Sequence, residues 1–148
     1  MTVVRPASLD DVDQLVSMYE WLFAPPGSRP ARWDPQGAAV ALGGAISARD
    51  ATVLVAAHDG ELVGFCTAYD DIESVRFGRR IWVEDLAVDP ERRSLGIGKL
   101  LLDEAKAWAR SRGASHLELD SAEARADAHR FYEREQPSWR SICFGWEL

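Results

Sequence analysis

The chain has 148 residues, 47% hydrophobic and 28% charged, the make-up of one globular domain with a full core rather than of a disordered segment. Its 24 acidic residues outweigh 17 basic ones, giving a net charge of −7, which argues against a nucleic-acid partner, since that binding is driven by clustered cations. No apolar run is long enough to span a membrane, no secretory leader is expected, and two cysteines with three isolated histidines lack metal-ligand spacing, so the expectation is a cytoplasmic protein with free, buried thiols, no metal and no membrane contact.

Val3–Pro6 reads as a first strand. Ser8 is a helix N-cap, Asp10 and Asp11 favour the first turn, and Val12, Leu15, Val16 and Tyr19 recur at helical spacing, predicting a helix to about Leu22. Pro25 to Pro35 is a loop containing Trp33, and Ala38 to Ala48 is an Ala-rich helix weakened by Gly43 and Gly44. Thr52–Ala57, an Asp59–Gly60 turn and Leu62–Tyr69 form a hairpin, and Arg80–Val88 is the next strand. The helix from about Ile97 to Arg112 carries Ile97, Leu101, Ala105 and Trp108 on one face and ends at Gly113, a left-handed cap. His116–Asp120 alternates as a strand, Ala124–Glu135 is a helix, and Trp139–Trp146 is a final strand. No repeat or linker divides the chain, so residues 1–148 are expected to form a single α/β domain.

The segment from Leu86 to Lys99 carries the chemistry. A strand runs through an Arg-rich turn into Gly96-Ile97-Gly98 and a helix. The first N–H groups of a helix have no internal partner and sit at the positive end of its dipole. Glycines there let a phosphate approach the backbone, so the turn from Arg93 to Lys99 is a candidate phosphate site. The dinucleotide fingerprint needs glycine where Leu101 stands. The nucleotide-triphosphate loop needs glycine where Arg93 stands and Ser or Thr where Leu100 stands.

Arg93-Ser94-Leu95-Gly96-Ile97-Gly98 instead fits [Arg/Gln]-x-x-Gly-x-[Gly/Ala], and with the preceding Glu84–Arg93 run it resembles the coenzyme A pyrophosphate loop of the GNAT acyltransferase superfamily. A second stretch, Ala128-His129-Arg130-Phe131-Tyr132-Glu133, resembles that family's Ala-x-x-Phe-Tyr-Glu helix, and the resemblance covers nearly the whole chain. It implies a mixed sheet of about seven strands flanked by about four helices, splayed open beside the phosphate turn. It implies acetyl-CoA as co-substrate and acyl transfer to a primary amine by direct attack, with no metal. On this reading Leu86, Ala87 and Val88 line the pantetheine arm, with an oxyanion donor from the strand at Leu86. Arg93, Ser94, Leu95, Gly96, Ile97, Gly98 and Lys99 hold the phosphates.

Such chemistry needs a proton acceptor for the amine, a donor for the oxyanion, and a proton or hydrogen bond for the leaving thiolate. Tyr132 is the candidate acid, because a phenol near pKa 10 is roughly matched to a thiolate. Glu84 is the candidate base or amine anchor, a charged residue midway along an apolar strand. In a regular strand Glu84 shares a face with Leu86, and Asp85 points the other way unless a bulge intervenes. The run Glu84-Asp85-Leu86 is similar to that of spermidine/spermine and related small-amine enzymes, such as aminoglycoside acetyltransferases. Glu84, Asp85, Asp70 and Asp71 therefore suggest a cationic small-molecule acceptor, with the loop Phe23 to Gln36, Trp21 and Trp33 near it, as one wall of the acceptor site and Trp33 as a substrate contact. Arg125 stands where many family members carry a cofactor-contacting Asn, Ser94 where many carry Gly, and Glu135-Gln136-Pro137 replaces the usual Leu-Gly-Phe. Two other readings share these features: a non-catalytic acyl-CoA sensor and a protein N-acetyltransferase. A third is an interaction protein using some of its six tryptophans. Homodimerisation, common in the family, leaves no mark on this sequence and stays open.

Overall fold

The computed structural model describes residues 1–148. Five strands form one sheet in the order β1-β2-β3-β4-β5: β1 (Thr2–Pro6), β2 (Ala51–His58), β3 (Glu61–Asp70), β4 (Arg80–Val88) and β5 (His116–Glu118). The first four pair antiparallel and β5 pairs parallel to β4, giving the mixed sheet expected, with five strands in place of about seven.

Helices cover both faces. On one side α1 (Val12–Met18), α2 (Glu20–Phe23) and α3 (Pro35–Ser47) bury Leu15, Met18 and Leu42 against Val53, Val55, Phe65 and Ala87. On the other, α4 (Ile97–Ser111) lays Ile97, Leu101, Ala105 and Ala109 on Leu54, Cys66, Ala68, Ile81 and Val83. The i, i+4 spacing of those α4 residues is the apolar stripe that such packing requires. The last helix, α5 (Ala126–Arg134), approaches the start of α4, where the Phe131 ring is 3.4 Å from the point a Cβ on Gly98 would occupy. Phe131 thus packs against the first turn of α4.

Several boundaries differ from expectation. The single helix expected through Leu22 is interrupted at Tyr19. The third helix starts earlier, because Asp34 caps it through Gly37 N–H at 2.9 Å and Pro35 suits its first turn. It continues through Gly43 and Gly44. β5 ends at Glu118 and α5 starts at Ala126, both short of their expected limits.

No final strand forms. Gln136 takes a left-handed φ of 56°, Pro137 follows without a backbone donor, and the only free edge nearby, β5, is three residues long. Residues 137–148 are exposed coil, leaving Trp139, Ile142, Phe144 and Trp146 in solvent. Cys143 is therefore exposed, whereas Cys66 is buried as expected; both are free.

The sheet is clamped at one end. Arg80 Nη1 on β4 donates to Glu118 on β5 at 2.9 Å and the same guanidinium pairs with Asp71, while Arg112 beyond α4 pairs with Asp70 on β3. Midway along β4 a bulge interrupts the strand. Thr67 faces Asp85 and Ala68 faces Val83, so Glu84 is an extra residue with no opposite number.

Gly64 on β3 sits beneath α4, and a Cβ there meets Ala87 O and Leu101 Cδ1 at 3.0 Å and Ile97 Cγ2 at 3.1 Å. The variant Gly64→Ala is expected to lose about 1–3 kcal/mol through overpacking, read as a lower denaturant midpoint with unchanged slope. Unchanged stability would contradict this packing.

Candidate active site

β4 and β5 part early. They pair only from Arg80–His116 to Trp82–Glu118, so Val83–Val88 has no strand on its β5 side. The bulge follows directly on the last pair, where a bulge's added twist turns one strand away from its neighbour. A cleft of about 440 Å³ occupies the gap, with Val83, Glu84, Asp85 and Leu86 on one bank and Leu119, Asp120, Ser121 and Tyr132 on the other.

The polar groups facing this gap follow from the ladder. Val88 lies opposite Gly64, while Asp89 N–H donates to Val63 O at 2.9 Å. Val88 is therefore in a non-hydrogen-bonded pair, and its own N–H and C=O point away from β3 into the gap. Leu86, opposite Cys66, repeats that orientation two residues earlier. Ala87 between them instead buries its methyl against the α1 and α3 face.

The gap leads to the start of α4. Ser94 and Gly96 take left-handed φ values of 64° and 82°, and Gly96 caps α4 with no side-chain hydrogen bond. The first N–H groups of Ile97, Gly98 and Lys99 are thus left to an outside acceptor, and no acidic side chain opposes them in the first turn. A Cβ on Gly96 would meet nothing, so this glycine serves the turn's conformation and leaves open space, whereas Gly98 also admits Phe131. Leu95 is exposed on the turn. Arg93 is exposed and makes no ion pair. Lys99 turns its Nζ to Asp103 at 2.9 Å and Glu135 at 3.4 Å, so it offers the turn chiefly its backbone.

The bulge corrects the expected facing of the strand. Val83 and Leu86, three apart, both pack toward α4, so the two residues between them turn to the opposite side together. Glu84 accepts from Trp82 Nε1 at 3.1 Å, and burial, then the Asp85 charge, pushes its carboxyl above the ordinary value, though part of the side chain stays in solvent. It forms no ion pair with Arg79 or Arg80, which are engaged by Asp70, Asp71 and Glu118. Asp85 accepts from Tyr19 Oη at 2.7 Å and Thr67 Oγ1 at 3.0 Å, and its own N–H donates to Thr67 Oγ1 at 3.1 Å. That N–H is the group the bulge removes from the backbone ladder, so Thr67 and Tyr19 stabilise the bulge itself.

Tyr132 lines the cleft opposite Leu86. Burial is the main reason its phenol is pushed up to about 12, so it stays protonated at neutral pH and donates a hydrogen bond more readily than it releases a proton. Neighbouring Ser121 Oγ is buried with no partner in the protein. Arg125 lines the cleft and donates from Nη2 to Leu22 O at 2.9 Å, tying the start of α5 to α2. Trp33 stacks on Tyr19 with centroids 5.5 Å apart and lines the cleft with Phe23, Ser28 and Pro30 of the same loop, while Trp21 packs, partly buried, against the core and does not line the cleft. Asp70 and Asp71 are held in ion pairs away from the cleft, which removes them from any acceptor site. Tyr19, Thr67, Asp120 and Ser121 escape sequence reading, because their roles depend on the bulge and on where β5 leaves β4. No group of three or more His, Cys, Asp or Glu side chains is placed to hold a metal. No helix is long and apolar enough to cross a membrane.

A family model described as the acetyltransferase (GNAT) family matches residues 14–136. An uncharacterized N-acetyltransferase of Bacillus subtilis, YhdJ, is 46% identical over 59 residues, 40% of this chain and 42% of that protein. The match thus spans under half the length of that relative. A second from the same organism, YhfO, is 34% identical over 101 residues, 68% of each chain. An aminoglycoside N-acetyltransferase solved in complex with CoA superposes with a TM-score of 0.85 at 14% identity, covering 100% of this chain and 95% of that one, a likeness of fold.

Glu84 also carries a stability consequence. A carboxyl whose folded pKa is raised contributes stability fully present below its unfolded pKa and lost as pH rises through the folded one. Glu84→Gln is therefore expected to melt higher than the parent at pH 7, with the gain disappearing below about pH 4. A lower melting temperature at pH 7 would show that the ionised side chain is stabilised in the fold.

Proposed function

The chain belongs to the acetyltransferase (GNAT) family, and from that membership we propose that it moves the acetyl group of acetyl-CoA to a primary amine of a cationic small molecule, by direct attack with both substrates bound. The observation that carries this reading is the gap beside β4, with Leu86 and Val88 offering backbone groups along it, an uncapped helix start at one end and Glu84 and Tyr132 within it.

The residues present fit acetyl-CoA, which supplies an activated thioester. Arg93 and the N–H groups of Ile97, Gly98 and Lys99 hold its phosphates, the exposed edge at Val88 pairs with its amide-bearing arm, and orphaned Ser121 Oγ offers one more hydrogen bond in the cleft. The Leu86 N–H donates to the carbonyl oxygen as it gains charge. Glu84 binds the ammonium group and accepts its proton, directly or through water; its raised pKa makes it a better base than a solvated carboxylate. Tyr132 faces the departing sulfur. With its phenol pushed up to about 12, above an ordinary thiol near 8.5, full proton transfer is uphill, so Tyr132 acts by hydrogen-bonding the thiolate.

Acetyl-CoA at a hundredfold excess over its Kd is expected to stabilise the protein by about 2.7 kcal/mol, read as a rise in Tm. No rise at saturation overturns the assignment of the Arg93–Lys99 turn. A rise with no thiol released across a broad amine panel favours the sensor reading. Tyr132→Phe is expected to lower kcat by about a hundredfold or more while the KM for acetyl-CoA stays within a few-fold. The kcat/KM of the parent should increase with pH through a carboxyl pKa above the ordinary value, a limb absent from Glu84→Gln, and should show no alkaline limb from Tyr132 below pH 10.

A further inference from the structure

One end of the cleft is built from rings. Trp33 lies against Tyr19 at 5.5 Å and meets Phe23 edge-on at 4.7 Å, and Leu22 and Pro30 complete an apolar wall. The Tyr19 hydroxyl is committed to Asp85 at 2.7 Å, which leaves Ser28 and the Trp33 indole N–H as the uncharged polar groups of this end. That same bond places the rings beside the Glu84–Asp85 bulge. A molecule whose nitrogen sits at Glu84 therefore lays its carbon skeleton on Trp33. A positive charge also lines this end: Arg125, held to Leu22 O at 2.9 Å, sits where a second ammonium group would approach.

We propose that the acceptor is a monoamine on a flat apolar body, an arylalkylamine in chemical class, with its ring on Trp33 and its amino group at Glu84. This rests on the acetyl-transfer reading above and narrows it. A polyhydroxylated aminosugar lays its hydroxyls against ring faces, Leu22 and Pro30, where Ser28 and the Trp33 indole N–H are too few to pair them all, and desolvating groups without partners is unfavourable. A polyamine lying along the ring wall brings its second cation toward Arg125, and would have to turn to the other bank to meet the Asp120 carboxylate. An aryl ring matches the wall by stacking and by apolar area, and one ammonium matches the carboxylates of the bulge.

The test compares thiol release from acetyl-CoA with tryptamine, spermidine and neamine as acceptors, in the parent and in Trp33→Ala and Trp33→Phe. Tryptamine is expected to show the highest kcat/KM by at least about tenfold. Trp33→Ala should raise the KM for tryptamine about tenfold or more with kcat nearly unchanged, and Trp33→Phe should restore most of the loss. The rise in Tm with acetyl-CoA should persist in both variants, which establishes that they fold and bind the thioester. Preference for spermidine or neamine, or an unchanged tryptamine KM in Trp33→Ala, overturns the proposal and leaves acetyl transfer standing. Turnover of none of the three with acetyl-CoA binding intact also overturns it. Absence of acetyl-CoA binding in the parent takes down both readings.

Discussion

The site depends on β4 and β5 separating after three residue pairs. Had the parallel pairing run on to Val88, the N–H and C=O groups of Leu86 and Val88 would be consumed by a neighbouring strand and no cleft would exist. The bulge at Glu84 is placed where separation begins, and the ion pairs of Arg80 and Arg112 hold the sheet together at the other end. One end is fastened by charge and the other is left open by geometry, which lets a small domain keep unsatisfied backbone groups at a functional edge without unravelling.

The bulge does more than open the sheet. It reverses the facing of everything after it, so that Val83 and Leu86 share the α4 side while Glu84 and Asp85 turn together toward α1 and α2. Burial, and then the adjacent Asp85 carboxylate on the same side, raise the proton affinity of Glu84, while Tyr19 and Thr67 donate to Asp85 and offset the cost of the pair. The Tyr19 phenol is itself pushed far up by burial and by Asp85, so it remains a donor across any workable pH. Sheet irregularity, carboxylate pairing and the aromatic wall are thus one connected arrangement.

Much of this was legible in the residue order. The left-handed turn from Arg93 into α4 could be read because its signal is local: glycines at fixed offsets, an apolar strand before them and good helix formers after. The hairpin around Asp59–Gly60 and the stripe of α4 were equally local, and both formed. The facing of Glu84 was not legible, since a bulge is decided by the partner strand: Thr67 on β3 captures the Asp85 N–H, and nothing between Arg80 and Val88 announces it. The ion pairs that engage Asp70 and Asp71, and the bond from Arg125 to Leu22 O, were not legible either, because each depends on how separate elements come together. The tail from Trp139 to Trp146 alternates as a strand does, yet alternation produces a strand only when an edge of matching length is available.

The two thiols differ in a way that has practical weight. Cys66 lies sealed under α4 with its pKa pushed up to about 12 by burial, so thiol reagents do not reach a reactive sulfur there. Cys143 is in solvent on the coil beyond α5, beside Asp120 at the rim of the cleft, which raises its pKa and slows but does not block its reaction. The native chain therefore presents a single addressable sulfhydryl. A maleimide fluorophore attached there would report on the mouth of the cleft without any engineered cysteine.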